Sequence, residues 1–150
     1  MNYSINDVAV RFKLSVHTIR FYDKKGLLPF VLRNQKGNRV FTESDLNMIQ
    51  TICCLKDTGM PIRDIKKYID LCMKGTETIA LRNELLNKHK KEILKQIDML
   101  KDNLSLLNLK IEAYESSNAV EIITERLKKA AEEKKKEDEI QFLDSIDFNP

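Results

Sequence analysis

The sequence lacks several features that other classes of protein require. Its 150 residues contain no tryptophan, two histidines, three prolines and four glycines, and no glycine-rich phosphate loop is present. The histidines, His17 and His89, lie in different parts of the chain, and neither belongs to a recognisable pattern of nucleophile and base. We therefore predict that the protein is not an enzyme and uses no cofactor.

Long apolar runs are also missing. No segment approaches the roughly 20 apolar residues that a membrane-spanning helix needs. The first residues, MNYSINDVAVRF, are too polar for a signal peptide. We expect a cytoplasmic protein without a membrane partner.

Cysteine is scarce and clustered. Cys53, Cys54 and Cys72 are an odd number of thiols, which is more typical of reduced cysteines in a cytosol than of a disulfide framework. No thiol follows Cys72, and the remaining histidine and methionine side chains do not have the spacing of a two- or three-ligand cluster. We expect no metal site.

Charge is divided unevenly between the two halves of the chain. Residues 1–75 contain 13 Lys and Arg against 7 Asp and Glu, a net charge of +6, whereas residues 76–150 contain 13 against 16, a net charge of −3. A polyanion such as nucleic acid would therefore bind the first half. Many soluble domains carry a few surplus lysines, so a nucleic-acid partner needs support from the fold.

Two short helices are predicted near the N-terminus. Ser4 with Asp7 three residues later is a capping signature, and the apolar residues that follow have helical spacing. Ser15 can cap a second helix, which continues through Tyr22 and ends before Gly26. Two such helices with a tight connection form a helix-turn-helix, whose second helix fits the major groove of DNA.

A hairpin and two more helices are predicted next. Residues with high strand propensity stand on both sides of the turn-rich segment 34–38, which predicts a β-hairpin, called the wing below. Thr42 with Asp45 repeats the capping signature before a third helix that is apolar around much of its circumference. Pro61 is predicted at the first position of a fourth helix, which has one apolar and one cationic face.

A long charged helix is predicted from residue 76 to about residue 116. Its apolar residues repeat every seven positions, and a second set follows some of them by four, which is the heptad pattern of a coiled coil. The first domain is too small to cover this stripe, so we expect a homodimer. The predicted dimer contacts are Ile79, Leu86, Ile93, Ile97, Leu100, Leu104, Leu107, Ile111 and Tyr114.

Candidate DNA contacts lie on the second helix, the wing and the fourth helix. Arg20 and Tyr22 suit phosphate oxygens, and Gly37 allows a phosphate to approach the wing closely. Two alternatives stay open when each residue is considered alone: Tyr22 is an aromatic residue at the edge of the core, and His17 is a solvated side chain. The full set is Ser15, Val16, His17, Thr18, Arg20, Tyr22, Arg33, Gly37, Asn38, Arg39, Arg63, Lys66 and Lys67.

These motifs resemble the MerR family of bacterial regulators. Where the family usually has a tyrosine between a glycine and an arginine of the wing, this chain has Asn38, and the arginine is retained as Arg39. The resemblance extends over about residues 2–114 and is most specific over the first 73. The segments that carry it are TIRFYD at 18–23 with GLL at 26–28, then GNRVF at 37–41 with Asp45-Leu46.

The resemblance implies a mainly α fold, with a winged helix-turn-helix, a small β-hairpin and a long helix that forms an antiparallel dimeric coiled coil. We expect a DNA-binding domain at 1–74, a dimerisation helix at 75–116 and a charged C-terminal helix or tail at 117–150. The resemblance further implies a homodimer that binds a palindromic promoter, alters the bend and twist of the DNA, and acts on RNA polymerase there. A coiled-coil scaffold that does not bind DNA is the alternative, because the heptads alone predict only self-association.

The sequence does not identify the effector. Cys54 matches the position of the single cysteine in the aldehyde- and nitrosative-stress-responsive branch of the family. The resemblance implies a stress-response regulator in which this thiol, at a buried joint between the DNA-binding domain and the dimer helix, reacts with an electrophile. The alternatives are that Cys54 is a small core residue, that the effector is a small lipophilic ligand, or that there is none.

Overall fold

The structure is a computed structural model that describes residues 2–136, for the last of them the backbone alone. It divides into two compact units, one up to Lys95 and one from Gln96 onward. The part of the predicted C-terminal tail after Lys136 lies outside the described residues.

The first unit contains a helix-turn-helix, a two-stranded antiparallel hairpin and two further helices, and the predicted mainly helical fold with a small wing is confirmed. A 3-10 turn leads into a long helix that continues into the second unit. The elements are α1 (Ile5–Phe12), α2 (Val16–Lys24), β1 (Leu32–Arg33), β2 (Arg39–Val40), α3 (Glu43–Asp57), α4 (Ile62–Met73), the 3-10 turn (Thr76–Thr78), α5 (Ile79–Glu115) and α6 (Ala119–Lys136).

The helix starts follow the local capping signals. Ser4 accepts a hydrogen bond from the Asp7 N–H, and the Asp7 carboxylate accepts one from the Ser4 N–H at 2.7 Å. The bonds that the Ser4 N–H and the Ser4 hydroxyl donate to this carboxylate lower the pKa of Asp7, so the cap is complete above the usual aspartate pKa and weakens as the pH falls through the lowered one. Thr42 and Asp45 form the same capping box on α3. Pro61 precedes α4 instead of beginning it, because its ψ of 145° is extended.

One apolar core holds the first unit together. Leu85 and Leu86, from the start of α5, pack against it, so this part of the long helix belongs with the helix-turn-helix. Leu86 was predicted as a dimer contact, but it is half-buried against the core of its own chain. The buried residues are Val8, Ile19, Tyr22, Leu27, Leu28, Phe41, Leu46, Ile49, Ile52, Leu55, Met60, Ile65 and Ile69.

Gly26 ends α2 in a conformation that other residues rarely adopt. Its φ is +75°, and a Cβ added there would lie 3.1 Å from Cε of Lys66 on α4. The following N–H, that of Leu27, donates to the Tyr22 carbonyl at 3.0 Å. The chain thus turns sharply under the Lys66 side chain of α4.

Replacing Gly26 with alanine is expected to lower the free energy of unfolding by about 1–2 kcal/mol, because a side chain strains this backbone conformation. Gly37→Ala is the matched control, since its φ is +79° and no atom lies within 4 Å of the added Cβ. Urea denaturation of both variants measures the strain and the Lys66 contact separately. A Gly26→Ala protein as stable as the wild type would contradict this account of the turn.

The second unit contains the rest of α5 and α6. The turn between them is closed by the Ala119 N–H, which donates to the Ser116 carbonyl at 3.0 Å. Ala113 is buried, and α6 has a half-buried apolar side that includes Ile123 and Leu127. None of the helices described between residues 2 and 136 is both long and apolar enough to cross a membrane.

The heptad stripe of α5 is open to solvent in the second unit. Its side chains are between 40% and 63% exposed, which is unusual for leucine and isoleucine at regular spacing. No described residue of this chain buries these side chains as fully as the core residues are buried. The stripe from this unit consists of Ile97, Leu100, Leu104, Leu107, Ile111 and Tyr114.

Candidate nucleic-acid interface

One side of α2 presents polar and cationic groups to solvent. His17, Arg20 and Lys24 are exposed and lie three or four residues apart, so they share this side. Phe21 lies on the same side with 39% of its surface exposed, and the Lys25 Nζ stands 5.6 Å from its ring centroid. Phe21 was not among the predicted contacts, although its spacing of four residues from His17 indicates the shared face.

The first turn of α2 is fixed by its cap. Ser15 Oγ accepts a hydrogen bond from the Thr18 N–H at 2.9 Å, and the hydroxyls of the two residues lie 2.8 Å apart. Val16 between them is half-buried. These three predicted contact residues therefore hold in place the turn from which His17 extends.

Tyr22 belongs to the core, with 5% of its surface exposed. Burial raises the pKa of its phenol, and the nearby Cys53 and Asp57 raise it further. The group is therefore a neutral hydroxyl near pH 7 and can donate a hydrogen bond. Its ring therefore has the packing role that the sequence left open as the alternative.

The turn of the wing is organised by Asn34. Its side-chain Oδ1 accepts hydrogen bonds from the N–H groups of Lys36 and Asn38, each at 3.0 Å. Gly37 has a φ of +79°, and no atom lies within 4 Å of the position that a Cβ would take. Glycine is thus required here by the backbone conformation, and the space beside it is open.

The two wing arginines are tied to α2 by one carboxylate. Asp23 Oδ2 accepts a hydrogen bond from Arg33 Nη2 at 3.1 Å and one from Arg39 Nε at 2.9 Å, and it also pairs with Arg39 Nη2. The Arg33 side chain is 52% exposed and also donates to the Gly37 carbonyl at 3.1 Å, whereas that of Arg39 is only 17% exposed. Asp23 was not among the predicted site residues. Arg39 was predicted as a DNA contact, and its guanidinium is bonded to Asp23 on α2.

The cationic face of α4 is partly neutralised by its own carboxylates. Lys66 Nζ lies 2.6 Å from Asp70, and Arg63 Nε lies 3.6 Å from Asp64. Lys67 is exposed on the same helix. The face is therefore less positive than the sequence predicted, because two of its three cations have a partner one turn or one residue away.

All three parts of the predicted surface meet at the end of α2. Asp23 joins the wing to this helix, and Gly26, three residues later, lies under the Lys66 side chain of α4. The exposed face of α2 with these neighbours is called the reading surface below. Its arrangement can place a helix in a groove and cations on the flanking phosphates.

The thiols differ in their surroundings. Cys54 is exposed, so the prediction that it is buried at a joint is wrong; the side of α3 that faces the core carries Cys53. Burial, together with Asp57 and Cys54, raises the pKa of the half-buried Cys53, which keeps that thiol protonated. Within residues 2–136 no group of three His, Cys, Asp or Glu side chains is arranged to hold a metal ion.

The end of α3, next to Cys54, is bonded to α5. Thr58 Oγ1 lies 2.7 Å from the Cys54 carbonyl oxygen and 2.7 Å from His89 Nε2. A chain of two hydrogen bonds thus connects the backbone of Cys54 to the long helix.

The family model and the relative that match this chain are both described as HTH regulators. Residues 3–72 match the family model described as MerR HTH family regulatory protein. An uncharacterized HTH-type transcriptional regulator of Haemophilus influenzae is 40% identical over 120 residues, which are 80% of this chain and 89% of that protein.

Two solved structures have the same fold. The crystal structure of HiNmlR, a MerR family regulator lacking the sensor domain, bound to promoter DNA, aligns with a TM-score of 0.72 and 40% identity over 79% of this chain and 94% of that one. A MerR family transcriptional regulator from Bacillus thuringiensis aligns with a TM-score of 0.71 and 43% identity over 76% of this chain and all of that one.

Proposed function

Because the chain belongs to the MerR family of HTH transcriptional regulators, we propose that it binds a palindromic promoter as a homodimer and controls transcription there. The observation that carries the proposal is the reading surface, where an exposed helix face, a wing and a partly cationic helix lie side by side. The solved relative HiNmlR is bound to promoter DNA, which supports the same partner for this chain.

In the proposed complex α2 lies in the major groove. His17, in its first turn, is the candidate for contact with base edges, and Arg20, one turn later, for a phosphate. On the wing, Arg33 and the open space beside Gly37 face the backbone of the DNA, and Lys67 of α4 adds a further phosphate contact. The phosphate contacts position the helix, and its first turn reads the sequence.

The exposed heptad stripe of α5 supports the second copy. A row of half-exposed leucine and isoleucine side chains is costly in water, and an identical stripe on another chain removes the cost on both. The interface is isologous, which is the symmetry that a palindromic DNA site requires. We propose an antiparallel coiled coil, with the DNA-binding domain at residues 1–74, the dimerisation helix at 75–116 and a charged C-terminal helix or tail from 117.

A rigid dimer also gives a means of control. The separation of the two reading surfaces fixes the separation of the two half-sites that they bind. A change at the joint between the DNA-binding domain and α5 therefore alters the bend and twist of the DNA between the half-sites. RNA polymerase at the same promoter would respond to that change in DNA shape.

The proposal is tested by footprinting the purified protein on the DNA upstream of its own gene. We expect two protected half-sites related by two-fold symmetry, with protection that weakens as the salt concentration rises. Uniform, sequence-independent protection, or none at low ionic strength, would leave the coiled-coil scaffold as the function.

We further propose that the effector is a reactive electrophile such as an aldehyde. The thiolate of Cys54 would add to the carbonyl carbon, whose oxygen takes up a proton, so that the product is a hemithioacetal and no oxidant is needed. The exposed position of the thiol permits this reaction. The adduct would disturb the end of α3, which Thr58 and His89 connect to α5.

Replacing Cys54 with serine is expected to abolish the change in promoter transcription that an aldehyde causes, while DNA affinity without aldehyde stays the same. Cys72→Ser is the matched control and should respond like the wild type. Transcription from the footprinted promoter, with and without aldehyde, measures both. A full response in the Cys54→Ser protein would exclude this thiol as the sensor.

A further inference from the structure

Asp23 is the single carboxylate between two arginines of the wing. Its Oδ2 is 3.1 Å from Arg33 Nη2 and 2.9 Å from Arg39 Nε. The Asp23 side chain is 28% exposed, so these bonds are partly shielded from water. The contact joins residues 10 and 16 positions apart in the chain, one on α2 and two on the wing.

The register of the hairpin explains why a carboxylate is needed there. Arg33 of β1 is directly opposite Arg39 of β2, and directly opposite residues of an antiparallel pair extend their side chains to the same face. Two like charges in this arrangement repel each other. Asp23 lies between them, so the hairpin can keep both arginines on the face toward α2.

The same contact determines where the wing lies. β1 and β2 have two residues each, and such a short hairpin has little stability of its own. Tyr3 pairs with Phe41 just beyond β2 and anchors that end. At the Arg33 and Arg39 pair, next to the turn, Asp23 provides the bond to the helix.

From this juxtaposition we propose that Asp23 is a positioning residue for sequence discrimination: it fixes the wing against α2 so that phosphate contacts and base contacts are made in one register. This inference rests on the proposed DNA-binding function and adds a residue to it that makes no DNA contact itself. The carboxylate is negative and lowers the attraction for DNA, so its contribution is to selectivity and not to affinity.

The inference predicts two changes in the full-length Asp23→Asn protein, one in its affinity for a scrambled duplex and one in its discrimination between duplexes. Released arginines are free to bind any phosphate, so affinity for a scrambled duplex should rise, and its salt dependence should steepen by up to about one unit per added phosphate contact. The wing would no longer hold α2 in register. The ratio of affinities for the footprinted and scrambled duplexes should therefore fall by about tenfold.

Two further proteins separate the role of the bond from that of the charge. Asp23→Asn with Arg39→Gln restores the wild-type net charge without the bond, so the ratio should stay low. Glu43→Gln makes the same change of charge as Asp23→Asn at a different carboxylate–arginine pair, which is exposed and in which Arg11 lies 3.4 Å away, and it leaves the wing intact. There the ratio should remain that of the wild type.

The inference is tested by titrating all four proteins against both duplexes at two salt concentrations. Thermal melting checks that each protein is folded. If Asp23→Asn is unfolded, Arg39→Gln alone breaks the less exposed of the two contacts and should lower the ratio by a similar factor. A wild-type ratio in the folded Asp23→Asn protein, or its recovery in the double variant, overturns the inference alone. A wild-type protein that does not discriminate between the duplexes overturns the proposed function and this inference together.

Discussion

A protein carrying Leu100→Glu and Leu107→Glu is expected to be a monomer and to bind the footprinted promoter at least about 100-fold more weakly than the wild type. The two leucines are 63% and 55% exposed and lie seven residues apart on the heptad stripe of α5. In an apolar interface each carboxylate would be buried without a partner, which is strongly unfavourable. Once the chains separate, the second reading surface no longer benefits from a high local concentration at the second half-site. Sedimentation and DNA titration measure the two effects.

The control for the dimer prediction is Leu106→Glu with Leu109→Glu. These leucines are 58% and 61% exposed, but lie off the stripe, since successive helical residues are rotated by about 100°. This protein should remain dimeric with near wild-type affinity. A dimer in the Leu100 and Leu107 variant, or monomers in both variants, would contradict the assignment of the stripe.

Arg20→Ala is expected to weaken promoter binding by about 10- to 100-fold per dimer. Arg20 is exposed on the side of α2 away from the core, so its loss should leave the fold unchanged. Each dimer loses two phosphate contacts, and the slope of log affinity against log salt should therefore decrease by about two. Titration at several salt concentrations gives both numbers.

Lys110→Ala is the matched control for this prediction, because Lys110 is an exposed cation on α5 that belongs to neither the reading surface nor the heptad stripe. It removes the same charge from each chain. If the two substitutions weakened binding equally, net charge would explain the affinity and α2 would have no special role.

Much of the fold was predictable because its signals are local. The capping boxes of Ser4 and Thr42 connect residues three positions apart, and both are formed as predicted. The heptad repeat is likewise a property of short sequence separations, and α5 is a continuous helix of 37 residues. Signals of this range depend little on how the elements pack.

The features that the sequence did not determine concern packing between elements. Cys53 and Cys54 are adjacent on a helix that is apolar on several sides, so spacing alone does not tell which thiol faces the core. Leu86 follows the heptad repeat and yet packs on its own domain, because the long helix begins against the helix-turn-helix core. In both cases the tertiary contacts of α3 and α5 determine which side chain packs against the core.

The site shows the same division. The pairing of Lys66 with Asp70 is local, since the two residues are four positions apart on one helix, but the predicted cationic face did not take this spacing into account. The pairing of Asp23 with Arg33 and Arg39 depends on how the wing folds onto α2, and no sequence spacing indicates it. The exposed cations of the reading surface were therefore easier to predict than the carboxylate that organises two of them.

The mass of the complex between the protein and a duplex carrying the footprinted site is the most direct measurement. Analytical ultracentrifugation should find two chains per duplex, and scrambling one half-site should lower the affinity at least about 100-fold. One chain per duplex, or equal affinity for the intact and the half-scrambled site, would contradict a dimer that reads both half-sites at once.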